Sequence, residues 1–123
     1  CAMVPMRSIP FAIVCLMGMN DDAYPRPHRP VGFDLMADRF QRGDRSRRQD
    51  DRYLFLETLL SARRCLYLSY AGQNIRDNSV LPPSVLISEL LDVVDRGFQT
   101  ADGNRASTQL VTRHPLQAFS RRY

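Results

Sequence analysis

Apolar residues fall along the chain in distinct patterns, and each pattern predicts an element. From Phe11 to Met17 they are continuous, FAIVCLM, and Gly18 ends the run. Such a run predicts a parallel strand covered on both faces. Past Ser46 the spacing changes to steps of three and four: Tyr53, Leu56, Leu59, Leu60 and Arg63 recur, with Leu54 and Phe55 widening the apolar face enough to cover a sheet. Ser46 with Gln49 forms a capping-box pattern, and Asp50 and Asp51 bring negative charge to the first turn, so a helix is expected to start there. Leu66 to Tyr70 follow as a short apolar and aromatic strand, closed by loop residues Gly72, Asn74 and Asp77. A second helix is expected over Ser84 to Asp95. Pro83 precedes its start, Val85, Leu86, Leu90, Val93 and Val94 form its buried side, and Gly97 ends it.

The remaining stretches are connections. Cys1 to Val4 reads as the end of a strand and Pro5 to Pro10 as a link. Asn20 to Pro30 holds three prolines and no apolar period, which makes it a loop at the carboxyl end of the first full strand, where open α/β sheets carry function. Gly32 to Phe40 is expected as a short helical turn, and Gln41 to Arg48 as an exposed arginine-rich segment. Gln99 to Thr108 is polar and expected to be loose. Leu110 to Tyr123 has no clear period and is expected to need a larger parent for order. The alternation predicts an α/β fold with a parallel sheet of three strands, its open edges suited to a borrowed strand or to a homodimer of the fragment.

Composition narrows this picture. At 123 residues, 44% hydrophobic and 24% charged, the chain is one soluble domain or part of one. It opens at Cys1 directly in an apolar run and is therefore read as a fragment of a longer polypeptide, with function extending beyond it. The run from Ile13 to Met19 is too short to span a bilayer and lacks a charged leader, so a cytoplasmic protein without a membrane partner is expected. Cys1, Cys15 and Cys65 are odd in number and widely spaced, which suits small core residues in a reducing compartment better than a zinc site. The net charge is +4 and every basic residue other than the histidines is arginine, a balance that permits nucleic-acid binding without demanding it.

Signals for chemistry are sparse. There is no Gly-rich loop ending in Gly-Lys-Ser or Gly-Lys-Thr and no Gly-x-Gly-x-x-Gly. His28 and His114 are far apart, each beside a proline, and read first as exposed loop residues. Asp21 and Asp22 follow the strand end, where metal-binding carboxylates occur, but adjacent loop acids are more simply solvated. Ser61 and Ser69 have no base nearby in sequence. Neither a metal nor a cofactor is expected. Arg39, Arg42, Arg45, Arg47, Arg48 and Arg52 crowd one segment, and guanidinium groups suit phosphates. Asp44, Asp50 and Asp51 are interleaved with them, so the cluster reads first as a solvated, internally paired surface and second as a phosphate contact. Arg63 and Arg64 are read as compensating the dipole at the helix end.

Several longer strings carry a resemblance. PMRSIPF at Pro5 to Phe11, LMGMND at Leu16 to Asp21, YPR at Tyr24 to Arg26, GFDLM at Gly32 to Met36, RGDRSRRQDDRYLFLE at Arg42 to Glu57 and RHPLQAFSRRY at the end together resemble the RecC family, the gamma subunits of exodeoxyribonuclease V. The resemblance covers nearly the whole chain. It implies a partial RecA-like, P-loop-NTPase-like domain of three layers, the later part of a second superfamily 1 helicase-type motor whose catalytic motifs have decayed. Residues 1–96 would form that inactive motor fragment and residues 97–123 a polar connector and tail. Where active motors of this class carry Lys-Gly-Leu-Glu-Phe, this chain reads Arg7-Ser8-Ile9-Pro10-Phe11, while Gly18-Met19 persists. Where they carry Thr-Arg-Ala, whose arginine reaches the γ-phosphate, it reads Leu60-Ser61-Ala62. Arg63, two positions on, would lie about 200° round a helix, on another face.

The resemblance therefore implies a chain that is not itself an enzyme, with Arg7, Ser8 and Ser61 as degenerate motor positions and with ATP and magnesium expected only in partner subunits. It implies RecB and RecD as partners in double-strand break repair and homologous recombination, with unwound DNA guided by the assembly. The candidate DNA contacts are Arg7, Arg42, Arg45, Arg47, Arg48 and Arg52. Two other readings compete: an ATPase half-domain of an active superfamily 1 helicase completed by a partner half, and a pure protein-interaction scaffold.

Overall fold

The computed structural model describes residues 3, 7–27, 32, 33, 39, 41–117 and 119–122. Its elements in order are β1 (Phe11–Leu16), α1 (Arg47–Ser61), β2 (Ala62–Leu68), α2 (Val85–Gly97) and the short α3 (Ser107–Leu110). β1 and β2 pair in parallel, with α1 in the crossover that parallel neighbours require. The α/β class with a parallel sheet is as expected, although the described residues hold two strands and not three. The expected strand at Cys1–Val4 and the helical turn at Gly32–Phe40 lie largely outside the described residues.

The register divides the sheet into two unlike faces. Val14 pairs with Leu66 and Leu16 with Leu68, and these side chains are buried or half-buried. Ile13 pairs with Cys65 and Cys15 with Tyr67, and all four are exposed, Ile13 to 62% and Tyr67 to 51%. The continuous apolar run is thus covered on one face only. Cys15 and Cys65 are strand residues as expected, but they are exposed thiols and not core residues. The cause is that the core gathers everything on one side: Leu16, Met19, Tyr24, Phe55, Leu86 and Ile87 form the buried cluster, flanked by Val14, Leu59, Leu68, Tyr70 and Leu90.

Helix α1 turns a different side inward from the one its largest apolar residues suggested. Asp51, Leu54 and Phe55 are buried and Thr58 and Leu59 half-buried, a clean 3.6-residue period. Tyr53, Leu56 and Leu60 form a second apolar stripe that stays exposed. With apolar residues on two sides, periodicity alone could not choose between them. The termini differ as well. Ser46 is the N-cap and its carbonyl accepts from the Asp50 amide at 2.9 Å, but its side chain makes no capping bond, so the capping box does not form. Asp50 alone serves the first turn.

At the other end the helix stops at Ser61, because Ala62 is extended and already pairs with Phe11 of β1. Arg63 and Arg64 consequently belong to β2, and no basic residue lies in the last turn of α1. The dipole reading of these arginines, and the helical angle assigned to Arg63, do not hold.

Helix α2 begins as expected. Ser84 is fully buried, its hydroxyl accepts from the Leu86 amide at 3.3 Å, and its own amide donates to the Met19 carbonyl at 2.8 Å. The helix runs to Gly97, two residues beyond the expected end. The following segment is tied down where looseness was expected. The Asn104 amide donates to the Thr100 hydroxyl at 3.0 Å, and Asp95 accepts from both the amide and the hydroxyl of Ser107 at 2.8 Å, which fastens α3 to α2.

The loop after β1 is where the chain is most strongly held. Gly18 turns it with φ +73°, the left-handed region that glycine enters without strain. The Asn20 amide donates to the Ala71 carbonyl at 2.9 Å and accepts from its amide at 3.1 Å. Tyr24, joined to Pro25 by a cis peptide bond, buries its ring and donates its hydroxyl to the Asp51 carbonyl at 2.5 Å. Arg26 then closes on Asp51: its amide reaches Oδ2 at 2.8 Å and Nη2 reaches Oδ1 at 2.5 Å. Asp51 is fully buried. Burial alone would raise its pKa, but the hydrogen bonds and charge of Arg26 outweigh that and hold the carboxyl below the usual carboxylate range. Burial, followed by the nearby Asp51 charge, pushes the Tyr24 phenol up to about 12.

Two outcomes follow for this clamp. Arg26→Ala strands a buried carboxylate and is expected to lower stability by about 2–4 kcal/mol, more than Asp51→Asn, whose lost partner is half-exposed and can be rehydrated. Urea unfolding of the two variants beside the parent chain checks the order. Because the Asp51 pKa is lower folded than unfolded, the unfolded chain binds more protons as the carboxylate titrates, so stability should be held above the ordinary value of 3.8 and fall as pH drops through the folded pKa. An acid titration of stability in Asp51→Asn should be flatter below about pH 4 than in the parent.

Candidate nucleic-acid interface

The six candidate arginines separate into two groups of three. Arg7 donates from Nε to Glu57 Oε2 at 2.5 Å and lies over the Tyr53 ring, 5.4 Å from its centre. Arg45 donates to Asp50 at 2.8 Å. Arg52 reaches both oxygens of Glu89 at 2.7 and 2.8 Å, linking α1 to α2. Arg42, Arg47 and Arg48 are exposed, and among the described residues their side chains make no hydrogen bond or ion pair.

All three lie along the segment that leads into α1. Asp44 accepts from the Gln41 amide at 2.7 Å and returns its own amide to the Gln41 carbonyl at 3.0 Å, closing a turn with Arg42 and Gly43 at its tip. Gly43 has φ +107°, which favours glycine there. Arg47 and Arg48 are the first two residues of the helix. Guanidinium groups add there to the partial positive charge of the helix N-terminus, a combination suited to anions. The interleaved acids offset it only in part: Asp50 is paired with Arg45 and Asp51 chiefly with Arg26 inside the protein, with Arg47 also favouring its charged form, while Asp44 accepts the Gln41 amide in its turn and keeps its charge. The paired arginines are weakly held, since surface ion pairs contribute on the order of 0–1 kcal/mol.

Of the three positions that the resemblance reads as degenerate motor sites, Arg7 and Ser8 share one carboxylate and Ser61 stands apart from it. Ser8, at φ +60°, donates to Glu57 Oε1 at 3.3 Å, beside Arg7 on Oε2. Ser61 follows Glu57 by one helical turn and so lies on the same side of α1. Its hydroxyl donates to the Thr58 carbonyl at 2.7 Å, within its own helix. Glu57 and Glu89, which fix two of the six arginines, were not singled out by the sequence reading, nor was Arg26. A carboxylate at position 51, in line with Leu54, Phe55 and Leu59, was the available signal for Arg26, because an acid on an inward helical face requires a cationic partner.

The other candidates are not drawn into a site. Asp21 and Asp22 are exposed in the turn where the Ala23 and Tyr24 amides bond to the Asn20 carbonyl. Among the described residues no group of three or more potential metal ligands converges. His28 lies outside the described residues and His114 is exposed. Val94, Phe98, Ala106 and Leu110 line an open apolar hollow of about 370 Å³ between α2 and α3, with no charged residue in its lining. No helix among the described residues is long and apolar enough to cross a membrane.

Since the exposed side chains of Arg42, Arg47 and Arg48 make no hydrogen bond or ion pair among the described residues, replacing each by alanine is expected to change stability by no more than about 0.5 kcal/mol. Urea midpoints of the three variants check this.

No protein-family model matches the chain. It is 52% identical over 120 residues, 98% of its length, to the RecBCD enzyme subunit RecC of Haemophilus influenzae. It is 62% identical over 94 residues, 76% of its length, to the RecBCD enzyme subunit RecC of Escherichia coli. The protein of the same name from Mycobacterium tuberculosis is 41% identical over 122 residues, 99% of the chain. The matched stretches are 10%, 8% and 11% of those relatives, so the chain spans about a tenth of their length. Identity of 41–62% over 76–99% of the chain, in three different relatives, identifies it as a segment of the RecC family.

Proposed function

We propose that this segment is a non-catalytic, helicase-like part of a RecC-type subunit that supports and guides unwound DNA in double-strand break repair and homologous recombination. In this reading residues 1–96 belong to a RecA-like domain of three layers whose motor motifs are degenerate, and residues 97–123 connect it to the rest of the subunit. The subunit assembles with RecB and RecD in the cytoplasm, and ATP and magnesium are bound by those partners. The relatives, as subunits of the RecBCD enzyme, support the assembly.

One observation carries the DNA part of the proposal: three exposed arginines that form no ion pair among the described residues, Arg42, Arg47 and Arg48, lie along one helix entry, while Asp50 is paired with Arg45 and Asp51 chiefly with Arg26. Guanidinium groups in this state meet phosphates at little cost in broken contacts, and phosphate contacts give affinity without sequence specificity. The absence of catalysis is supported by Ser61, which stands where the resemblance puts a phosphate-reaching arginine and is bonded within its own helix.

The test is binding of the assembled complex to a labelled forked DNA across a salt series, with Arg42, Arg47 and Arg48 all replaced by alanine. Each lost phosphate contact lowers the steepness of log K against log salt by about 0.7–0.9, so the triple variant should bind more weakly, with a slope shallower by about 2–3. An unchanged affinity and slope would leave the scaffold reading in its place.

A further inference from the structure

The clamp that closes the loop after β1 stands beside the arginine cluster. Asp51, whose carboxylate Arg26 holds, lies four residues beyond Arg47 on α1. That spacing is about 40° round the helix, so Arg47 and Asp51 are neighbours on one side of it. We propose that Arg26 is a positioning residue for DNA binding: by engaging the Asp51 carboxylate it keeps Arg47 free to meet a phosphate. This inference rests on the DNA reading above and names what holds one of its arginines ready.

Both carboxylate oxygens are occupied in the clamp. Arg26 Nη2 donates to Oδ1 at 2.5 Å and Nε to Oδ2 at 3.1 Å, while the Arg26 backbone amide donates to Oδ2 at 2.8 Å. Asp51 is fully buried under a guanidinium that is itself half exposed. Burial opposes the charge of Asp51, and Arg26 and then Arg47 favour it, so Arg47 is the next cation in that field. If the Arg26 side chain is lost, the backbone bond to Oδ2 remains but Oδ1 has no donor. A buried carboxylate in that state draws on the neighbouring cation, because an unmet buried charge is costly. An arginine placed before its acid is the less favoured order for a helical pair, in keeping with Arg47 standing apart while Arg26 is present.

Two simpler roles for Arg26 fit the geometry less well. As a phosphate contact of its own it would have to give up its bonds to a buried carboxylate, which Arg42, Arg47 and Arg48 do not. As a mere anchor of the loop it is not alone: Tyr24 holds the Asp51 carbonyl and sits in the core, and Asn20 holds both polar groups of Ala71. Losing the Arg26 charge therefore leaves the loop seated and changes chiefly what Arg47 faces.

The salt dependence of forked-DNA binding by the assembled complex tests this with four variants. Arg26→Gln keeps an N–H donor for Asp51 but no charge, and its slope of log K against log salt should be shallower by about 0.7–0.9, the loss of one phosphate contact. Arg26→Lys retains the charge and should keep the parent slope. In an Arg47→Ala background Arg26→Gln should change the slope no further, since the contact it governs is already gone. Asp51→Asn, with no carboxylate to satisfy, should have a slope no shallower than the parent, a result that can be read even where Arg26→Gln does not assemble. Arg26→Gln flattening the slope equally with and without Arg47, as a direct contact or a displaced loop would, overturns the proposal. So does a flattened slope in Asp51→Asn. An unchanged slope in Arg26→Gln, beside a flattened one when Arg42, Arg47 and Arg48 are all replaced, sinks this inference alone. An unchanged slope in that triple variant sinks the DNA reading with it.

Discussion

Asp51 is the residue on which the arrangement turns. A carboxylate fully inside a protein is tolerated only where its charge and lone pairs are met, and here Arg26 meets them from the loop after β1. Tyr24 adds a bond to the carbonyl of the same residue and contributes its ring to the core. The loop after β1 and the first turns of α1 are thereby one unit. Asn20 extends that unit to the strand that follows the helix, through both polar groups of Ala71.

This constraint shapes the surface as well as the interior. With Asp51 facing inward, α1 is rotated so that Leu54, Phe55 and Leu59 go to the core, while Arg47 and Arg48 remain on the exposed side of its first turn. Asp51 is also taken up chiefly by Arg26, with Arg47 a smaller contributor. Had it stayed on the surface beside them, the entry to the helix would carry as compensated a mixture of charge as the sequence suggests. Instead Arg42, Arg47 and Arg48 are left as a local excess on a chain whose net charge is only +4. A modest overall charge therefore hides a concentrated one.

How much of this was legible depended on whether the deciding contact was local. The strand at Phe11–Leu16 and the helix beginning beside Ser84 follow from contiguous patterns and stand as read. The orientation of α1 was not legible, because Tyr53, Leu56 and Leu60 offer as good an apolar stripe as Leu54, Phe55 and Leu59, and the choice is made by Arg26, twenty-five residues away. The end of α1 was misread for a related reason. Ala62, Arg63 and Arg64 have no strong strand signal of their own and are recruited by pairing with β1. The burial of Cys15 and Cys65 was overestimated because a continuous apolar run promises two covers, and the described residues supply only one. Among the candidate arginines, sequence could gather the cluster but not sort it, since Glu57 and Glu89 reach Arg7 and Arg52 across 50 and 37 residues.

The central claim is that the entry to α1 faces nucleic acid in the working assembly, and photocrosslinking tests it most directly. Gln49 is exposed on the first turn, next to Arg48, and can carry p-benzoylphenylalanine in place of its own side chain. Irradiation of the assembled complex on a labelled forked DNA should transfer the label to this subunit, with transfer reduced as salt is raised. Crosslinks from Gln49 to a partner subunit, with none to DNA at low salt, would contradict the account and make this surface a protein interface.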